Sequence, residues 1–381
     1  MLLKSQLLPV AILLQAARAW DKDGHEAIGM ITMSALENGP VHEVKHLMHG
    51  KDAVDVAAWA HKVNAKPKFA WTKALHFQVQ PTWGCGPLSS AECADNKCLL
   101  KALRYFYGEL VQAPDPASHI DWGEIKLTDA DRVKFLINLI GDMHQPLHLG
   151  FAGNDCGRNL TVQFRSKTTT LFEFWDTEMT QTIMKDSPGF WWGGWTHVQR
   201  TRSEYEKDSR AWEKEGVAMF DRWADENLKS TCEDIYREPV TRRNITAESA
   251  PVRITERLYE SWKQEMLSKM LVAGARTAIV LNSILQHRVG AAALHDGTAI
   301  KGVEVEEEEI PRAKLPTGGR KADATHFHRR AWEGPAAFLV NAAILFVVYV
   351  IFMLFMRKWQ GLDLVIMADR AKHGGDTGKK V

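Results

Sequence analysis

The sequence predicts an all-α fold: a single helical domain with a small β-hairpin, plus one C-terminal transmembrane helix. Two observations carry the fold class. Apolar residues recur at three- and four-residue spacings through most of residues 24–286, as helices with one buried face require. Leu160-Thr-Val-Gln-Phe164 is the best strand candidate, in a small hairpin. A third observation carries the span: residues 336–356 contain no charge.

Taken in order, residues 24–37 suit a helix with Ile28, Ile31 and Leu36 inward, and 51–63 suit another. Leu99–Leu110 is a third. Thr128 caps the next, with Asp131 three residues on as a short capping box. That helix buries Val133, Leu136, Ile137 and Ile140 and runs to about Met143, before Pro146 closes or bends it. Residues 203–228 and 253–286 read as long helices. No phosphate-cradling glycine motif, tandem repeat or zinc-finger spacing occurs.

The 381 residues suffice for one large domain or two ordinary ones. At 25% charged the chain is too polar for a multi-span transporter, and with 14 Trp and 45% hydrophobic residues it is not disordered. Lys and Arg number 48 against 47 Asp and Glu, so no global pull draws nucleic acid. A polyanionic substrate must be held locally, by metal or a few cations. Fifteen histidines point toward metal.

Both ends read as targeting segments. Residues 1–19 carry Lys4, an apolar Leu7–Leu14 core and Ala17-Arg-Ala19, as a signal peptide cleaved before Trp20 would. Residues 336–356 are long enough for about 30 Å of hydrocarbon, and Arg357 and Lys358 follow as a cytosolic flank. Residues 299–335, with an acidic run, prolines and Gly318-Gly319, read as a stalk, leaving 20–298 as the folded domain and 357–381 as a cytosolic tail. The expected topology is single-pass type I, with the domain outside or in a secretory or endolysosomal lumen and membrane attachment through that one helix. No feature predicts a protein partner.

Five cysteines suit an oxidising compartment. Cys93 and Cys98 suit a short loop, Cys85 and Cys232 a distant pair, and Cys156 is then odd; spacing does not choose the connectivity. Asn159-Leu-Thr161 and Asn244-Ile-Thr246 are glycosylation acceptors.

The chemical signal is His and Asp at helical spacing. Gly141-Asp-Met-His-Gln-Pro-Leu-His148 is the densest segment; Asp142 and His148 flank a helix end, where a carboxylate and an imidazole suit zinc. His144 reads either as part of this set or as a core histidine. Trp20 and His25 make a second signal, since a free α-amine at Trp20 would chelate with its own carbonyl. His61, His76 and Asp176 are further candidates, with Glu173 one turn before Asp176. His42, His46 and His49 sit in a charged, loop-like context and are expected to be solvated.

These pieces together resemble the secreted zinc-dependent single-strand-specific nucleases of fungi and plants and the membrane-bound 3'-nucleotidase/nucleases of trypanosomatids. The resemblance rests on WDKDGH from Trp20, DVAAWAH from Asp55, ALHF from Ala74, GDMHQPLHLG from Gly141, GRNLTV from Gly157, FWD from Phe174 and AGARTAIVLN from Ala273. It implies the helical nuclease and zinc-dependent phospholipase C fold, with three zinc ions in a cleft. It implies hydrolysis of phosphodiesters in single-stranded DNA or RNA, or of 3'-nucleotides, by zinc-activated water.

Carried over by residue, Trp20, His25 and a bridging Asp142 match the terminal-amine site. His76 matches a ligand of the first paired site, where His61 and Asn138 stand at two other ligand positions. His148 and Asp176 match the remaining site. Phe77 matches the base-stacking aromatic, and Asn159 the asparagine of a glycine turn in which Arg158 replaces a glycine. Asp142, Trp20 and Asn159 are the implied catalytic positions; Phe77, Arg158 and Asn159 are the implied substrate contacts. The implied disulfides are Cys93–Cys98 and Cys85–Cys232.

Several positions depart from the pattern. His61 replaces an aspartate, Asn138 and Phe172 replace histidines, and Asn64 replaces a phosphate-contacting arginine. Val79 and Thr177 replace base and site contacts. Two or three zinc ions are therefore expected. Three readings follow: a divergent nuclease or nucleotidase, a phosphoesterase on another substrate such as phospholipid, or a catalytically impaired binding or structural membrane protein.

Overall fold

The computed structural model describes residues 20–81, 88, 93–191, 202–237, 242–246, 249, 251–288 and 300. The chain divides into a unit over residues 1–306 and another over 307–381, and every described residue belongs to the first.

Helix α6 (Asp129–His144) organises the domain. Thr128 and Asp131 form a reciprocal capping box at its start. Every residue of α6 but Arg132 is buried, so it has no solvent face and must be surrounded. Its neighbours include α1 (Lys22–Ala35), α3 (Ala53–Val56), α4 (Trp59–Asn64), α5 (Leu99–Leu110), α11 (Ala218–Ser230) and α12 (Glu256–Arg288). After α6 the chain turns at Gln145, whose side chain accepts from Leu147 N at 2.5 Å, into the 3-10 helix Pro146–Leu149.

Helix α1 starts at Asp21, whose carboxylate accepts from Gly24 N at 2.9 Å. It lies tightly between α12 and α3. A Cβ on Gly274 of α12 would meet the Ile31 side chain at 2.5 Å, and one on Gly29 would meet Ala53 O at 2.8 Å. Glycine at both crossings lets the helix axes approach.

Several boundaries differ from expectation. The segment read as one helix over 51–63 is two, α3 and α4, broken at Ala57 and Ala58. The 203–228 segment is α10 (Arg202–Glu215) and α11, broken where Gly216 takes φ +54°. Residues Asn38–Leu47 form a helix, α2, although His42, His46 and His49 are exposed as expected.

The small hairpin is corrected to a three-stranded sheet. β1 (Thr161–Phe164) pairs antiparallel with β2 (Lys167–Thr170), Thr161 opposite Thr170. β3 (Val252–Ile254) adds parallel to β1, giving the order β2-β1-β3. Three residues are too few to show a period of two, so β3 left no mark in the pattern.

The transmembrane expectation is also corrected. Among the described residues, no helix is long and apolar enough to cross a membrane. The longest, α12, carries Lys263, Lys269 and Arg276 along its length. The run at 336–356 lies outside the described residues, as do residues 1–19 and 357–381. The described fold is accordingly an all-α domain with a small sheet, and none of its helices is a membrane span.

Candidate metal centre

Asp142 lies in the last turn of α6 and is fully buried. Three imidazoles converge on it from three other elements. His25 comes from α1, His61 from α4, and His76 from the end of the 3-10 helix Pro67–His76. The carboxylate is divided between them. Oδ1 lies 3.2 Å from His25 Nε2 and 3.7 Å from His61 Nε2, while Oδ2 lies 2.6 Å from His76 Nδ1. The two Nε2 atoms of His25 and His61 are 3.1 Å apart. Gly141 makes room for this: a Cβ there would sit 3.0 Å from the His25 ring.

The group fits a divalent ion. Among the described residues, His25, His61 and Asp142 offer ligand atoms all within 4.8 Å of one another. Asp142 Oδ1 is buried without a hydrogen-bond partner, an arrangement that costs free energy unless a cation satisfies it. Two imidazole nitrogens and a carboxylate oxygen form a zinc-type donor set.

His76 is held at both ends. Its Nδ1 meets Asp142 and its Nε2 lies 3.2 Å from Asn64 Nδ2. Asn64, buried on α4, therefore orients this ring. Asn138, one turn before Asp142, donates to Ala57 O at 2.7 Å and keeps Oδ1 unpartnered.

His148 and Asp176 are buried but stand outside the close triad. His148 Nδ1 donates to the His76 carbonyl at 2.5 Å, which leaves Nε2 as the lone-pair nitrogen, buried and unpartnered. Asp176 Oδ1 is likewise buried and unpartnered. Asp176 sits in a π-helical turn, Phe174–Glu178, whose wider winding upsets the simple three-residue relation to Glu173. Phe172 occupies the third position here, its ring 5.7 Å from that of His148.

Trp20 is fully buried, and its indole donates to Gly141 O at 3.1 Å. Asp21 N donates to Asp176 O at 2.8 Å. The chain at residues 20–21 is thus anchored to the Gly141–Asp142 corner on one side and to Asp176 on the other. His144 resolves as a core histidine. Its Nδ1 donates to Ile140 O at 2.8 Å, and its Nε2 faces Arg276 Nη1 at 3.1 Å.

Electrostatics follow the geometry. Burial alone would raise the Asp142 carboxyl, but His76, His25 and His61 outweigh it and hold it well below the usual range. Burial pushes His61 and His148 each down to about 3, against the pull of Asp142. Burial and then Arg276 push His144 well below 6.5. Burial, then Asp21, Glu173 and Asp142, raise Asp176 well above the usual range. A bound cation reverses that last effect.

These shifts set a pH dependence for the metal-free protein. His61, His144 and His148 are neutral when folded and charge on unfolding below about 6.5, so each costs stability as pH falls. Asp176 acts in the opposite sense between its ordinary and its raised value. Three imidazoles outweigh one carboxyl. The Tm of chelated protein is expected to fall steadily from pH 7 to pH 5; a flat profile would contradict these assignments.

A pocket of about 420 Å³ is lined by Lys73, Phe77, Val79, Lys97, Arg158 and the Cys93–Cys98 disulfide, among others. The Phe77 ring stacks on His148, centroids 4.0 Å apart, which ties this pocket to the buried histidines. Arg158 covers both Phe77 and Phe172. Asn159 is exposed and is not gathered into the buried cluster. Thr177 Oγ1 lies 3.5 Å from Asp176 Oδ2. Cys156 is a free buried thiol. Cys232 is disulfide-bonded, and Cys85 lies outside the described residues. The roles of Asn64, Lys73 and Lys97 left no trace in residue spacing.

An all-α domain that gathers imidazoles on one buried carboxylate has the donor set of a divalent-metal centre. A family model described as S1/P1 Nuclease matches residues 20–286, and the chain belongs to that family. It is similar to Endonuclease 1 of Arabidopsis thaliana, 23% identical over 71% of this chain and 88% of that protein. It is also similar to Endonuclease 4 of the same plant, 29% identical over 48% of this chain and 62% of that protein, a little under two thirds. Nuclease S1 of Aspergillus oryzae is 26% identical over 46% of this chain and 61% of its own length. The His25–His61–Asp142 group lies within the residues that the family model matches.

Proposed function

We propose that this protein hydrolyses phosphodiester bonds of single-stranded DNA or RNA, and 3'-nucleotides, at a zinc centre built on Asp142. The observation that carries the reading is the divided Asp142 carboxylate, with His25 and His61 at one oxygen and His76 at the other. A carboxylate so placed suits a bridge between two ions. His25 and His61 would be the imidazole donors at Oδ1 and His76 the one at Oδ2. Trp20 and Asn138 would supply the further donors that the family resemblance implies.

A divalent ion held there supplies Lewis acidity toward a phosphoryl oxygen and makes water a stronger acid. The chain's own residues do the rest. Asn64 keeps His76 aimed at Asp142. Phe77 lines the pocket where a base would lie, and Lys73, Lys97 and Arg158 supply positive charge for the backbone. His148 and Asp176 are the donors left for a further ion, one ligand short because Phe172 cannot coordinate. Two or three zinc ions per chain are consistent with this set.

The test is elemental zinc analysis of the full-length protein beside initial rates on single-stranded DNA, duplex DNA and 3'-AMP, before and after chelation and zinc return. Activity on the single strand that disappears with zinc and returns with it is expected. No hydrolysis of any of these substrates at full zinc occupancy would overturn the reading. Phe172→His supplies the missing donor, so it should raise zinc content by about one equivalent. Unchanged zinc in that variant would show that His148 and Asp176 do not form an ion site.

A further inference from the structure

We propose that the Arg158 guanidinium is the resident cation beside His148 and Asp176, and that it binds a phosphate oxygen where a zinc ion lacking its third ligand would be weakly held. The inference rests on the phosphoesterase reading above and specifies which group neutralises the substrate there.

The local geometry is unusual for an arginine at a loop. Its guanidinium carbon lies 3.8 Å from the Phe172 centroid and 4.9 Å from that of Phe77. Both rings neighbour His148, at 5.7 and 4.0 Å. The cation therefore sits over both rings that neighbour His148, where a guanidinium is favourably placed. Its charge interacts with both unpartnered ligands, His148 and Asp176.

Not all of its donors are spent. Nη1 lies 3.4 Å from Asp155 O and 3.4 Å from Asp155 Oδ1, and the side chain also bonds the Cys156 thiol. Nη2 is buried and has no hydrogen-bond partner. An unpaired guanidinium donor out of water is costly unless an anion completes it. Arg158 also lines the 420 Å³ pocket together with Lys73 and Lys97, so an anion can arrive from solvent.

The backbone is shaped to present it. Asp155, Cys156 and Gly157 take φ of +49°, +54° and +88° in succession. The reversed turn packs onto Gly150, where a Cβ would meet Cys156 Cα at 2.8 Å. Strain of this kind persists only where the surroundings hold it. It delivers the Arg158 side chain onto Phe172. A guanidinium is charged at every working pH and offers a planar fork to two phosphate oxygens, which a lysine does not.

The experiment uses the full-length protein and its Arg158→Ala and Arg158→Lys variants, with circular dichroism as a fold check. Inorganic phosphate and a short single-stranded DNA are titrated by calorimetry into chelated protein, and zinc is counted in untreated protein. Chelated wild type is expected to bind phosphate, and Arg158→Ala to bind it about 30-fold more weakly with zinc content unchanged. Arg158→Lys should recover part of the loss, since it keeps the charge and loses the fork. KM for single-stranded DNA should rise in the same order. Equal phosphate affinity in wild type and Arg158→Ala overturns the proposal, as does zinc lost in proportion to affinity. If Arg158→Ala does not fold, Arg158→Lys decides: affinity equal to wild type refutes the fork. Arg158-dependent phosphate binding without any hydrolysis would sink the phosphoesterase reading and leave this one standing. Hydrolysis indifferent to Arg158 would do the reverse.

Discussion

Asp142→Asn is expected to abolish activity on single-stranded DNA, by roughly a thousand-fold or more, and to lose more than one equivalent of zinc. Loss of several kcal/mol of Lewis-acid stabilisation corresponds to about three decades in rate. The double loss follows from the geometry. Oδ1 faces His25 and His61 while Oδ2 faces His76, so one side chain serves both halves of the centre. Asparagine keeps the shape but removes the charge and turns one acceptor into a donor. His148→Ala removes no side-chain donor from either half, only a bond to the His76 carbonyl, and should lose at most the weaker, outlying ion. Zinc analysis of the two variants, beside rates, separates the cases. Equal zinc loss in both would mean that Asp142 does not bridge.

Gly274→Ala should destabilise the domain by about 3 kcal/mol, at the upper end of overpacking costs, and lower its zinc affinity as well. The added methyl would stand 2.5 Å from both Ile31 Cβ and Cγ2 and 2.9 Å from Ile28 O. The last contact is backbone, so α1 itself must move off α12. That helix carries His25, so the displacement reaches the metal centre some two turns away. A fall in Tm of roughly 5–10 °C is expected for a domain of this size. Gly39→Ala on α2 is the control, because nothing lies within 4 Å of its added Cβ. If Gly274→Ala melts with wild type and holds zinc normally, the α1–α12 crossing is looser than described.

Much of this was already legible in residue order. The Thr128–Asp131 capping box and the apolar spacing after it identify α6, because both signals act within one helical turn. The segments around Trp20, His61, His76, Asp142 and Asp176 pointed to zinc and to the family, and each of those side chains is buried in the structure. What the motifs could not show was their grouping. The family resemblance implied His25 with Trp20 in one site and His61 with His76 in another, bridged by Asp142. In the fold His25 and His61 face each other at 3.1 Å.

The sequence by itself determined the helices that begin on local caps, the residue types able to hold metal, and the absence of a ligand at Phe172. Tertiary structure alone decided which ligands meet, that Asn64 steadies His76, and that Arg158 lies over Phe172. It also decided the breaks at Ala57 and Gly216, the third strand, and the burial of His144 against Arg276. The physical reason is range. A cap or an apolar stripe is specified by residues three or four apart, whereas His25 and Asp142 are 117 positions apart in the numbering. They meet only because α1, pressed between α12 and α3 at two glycines, is held against α6.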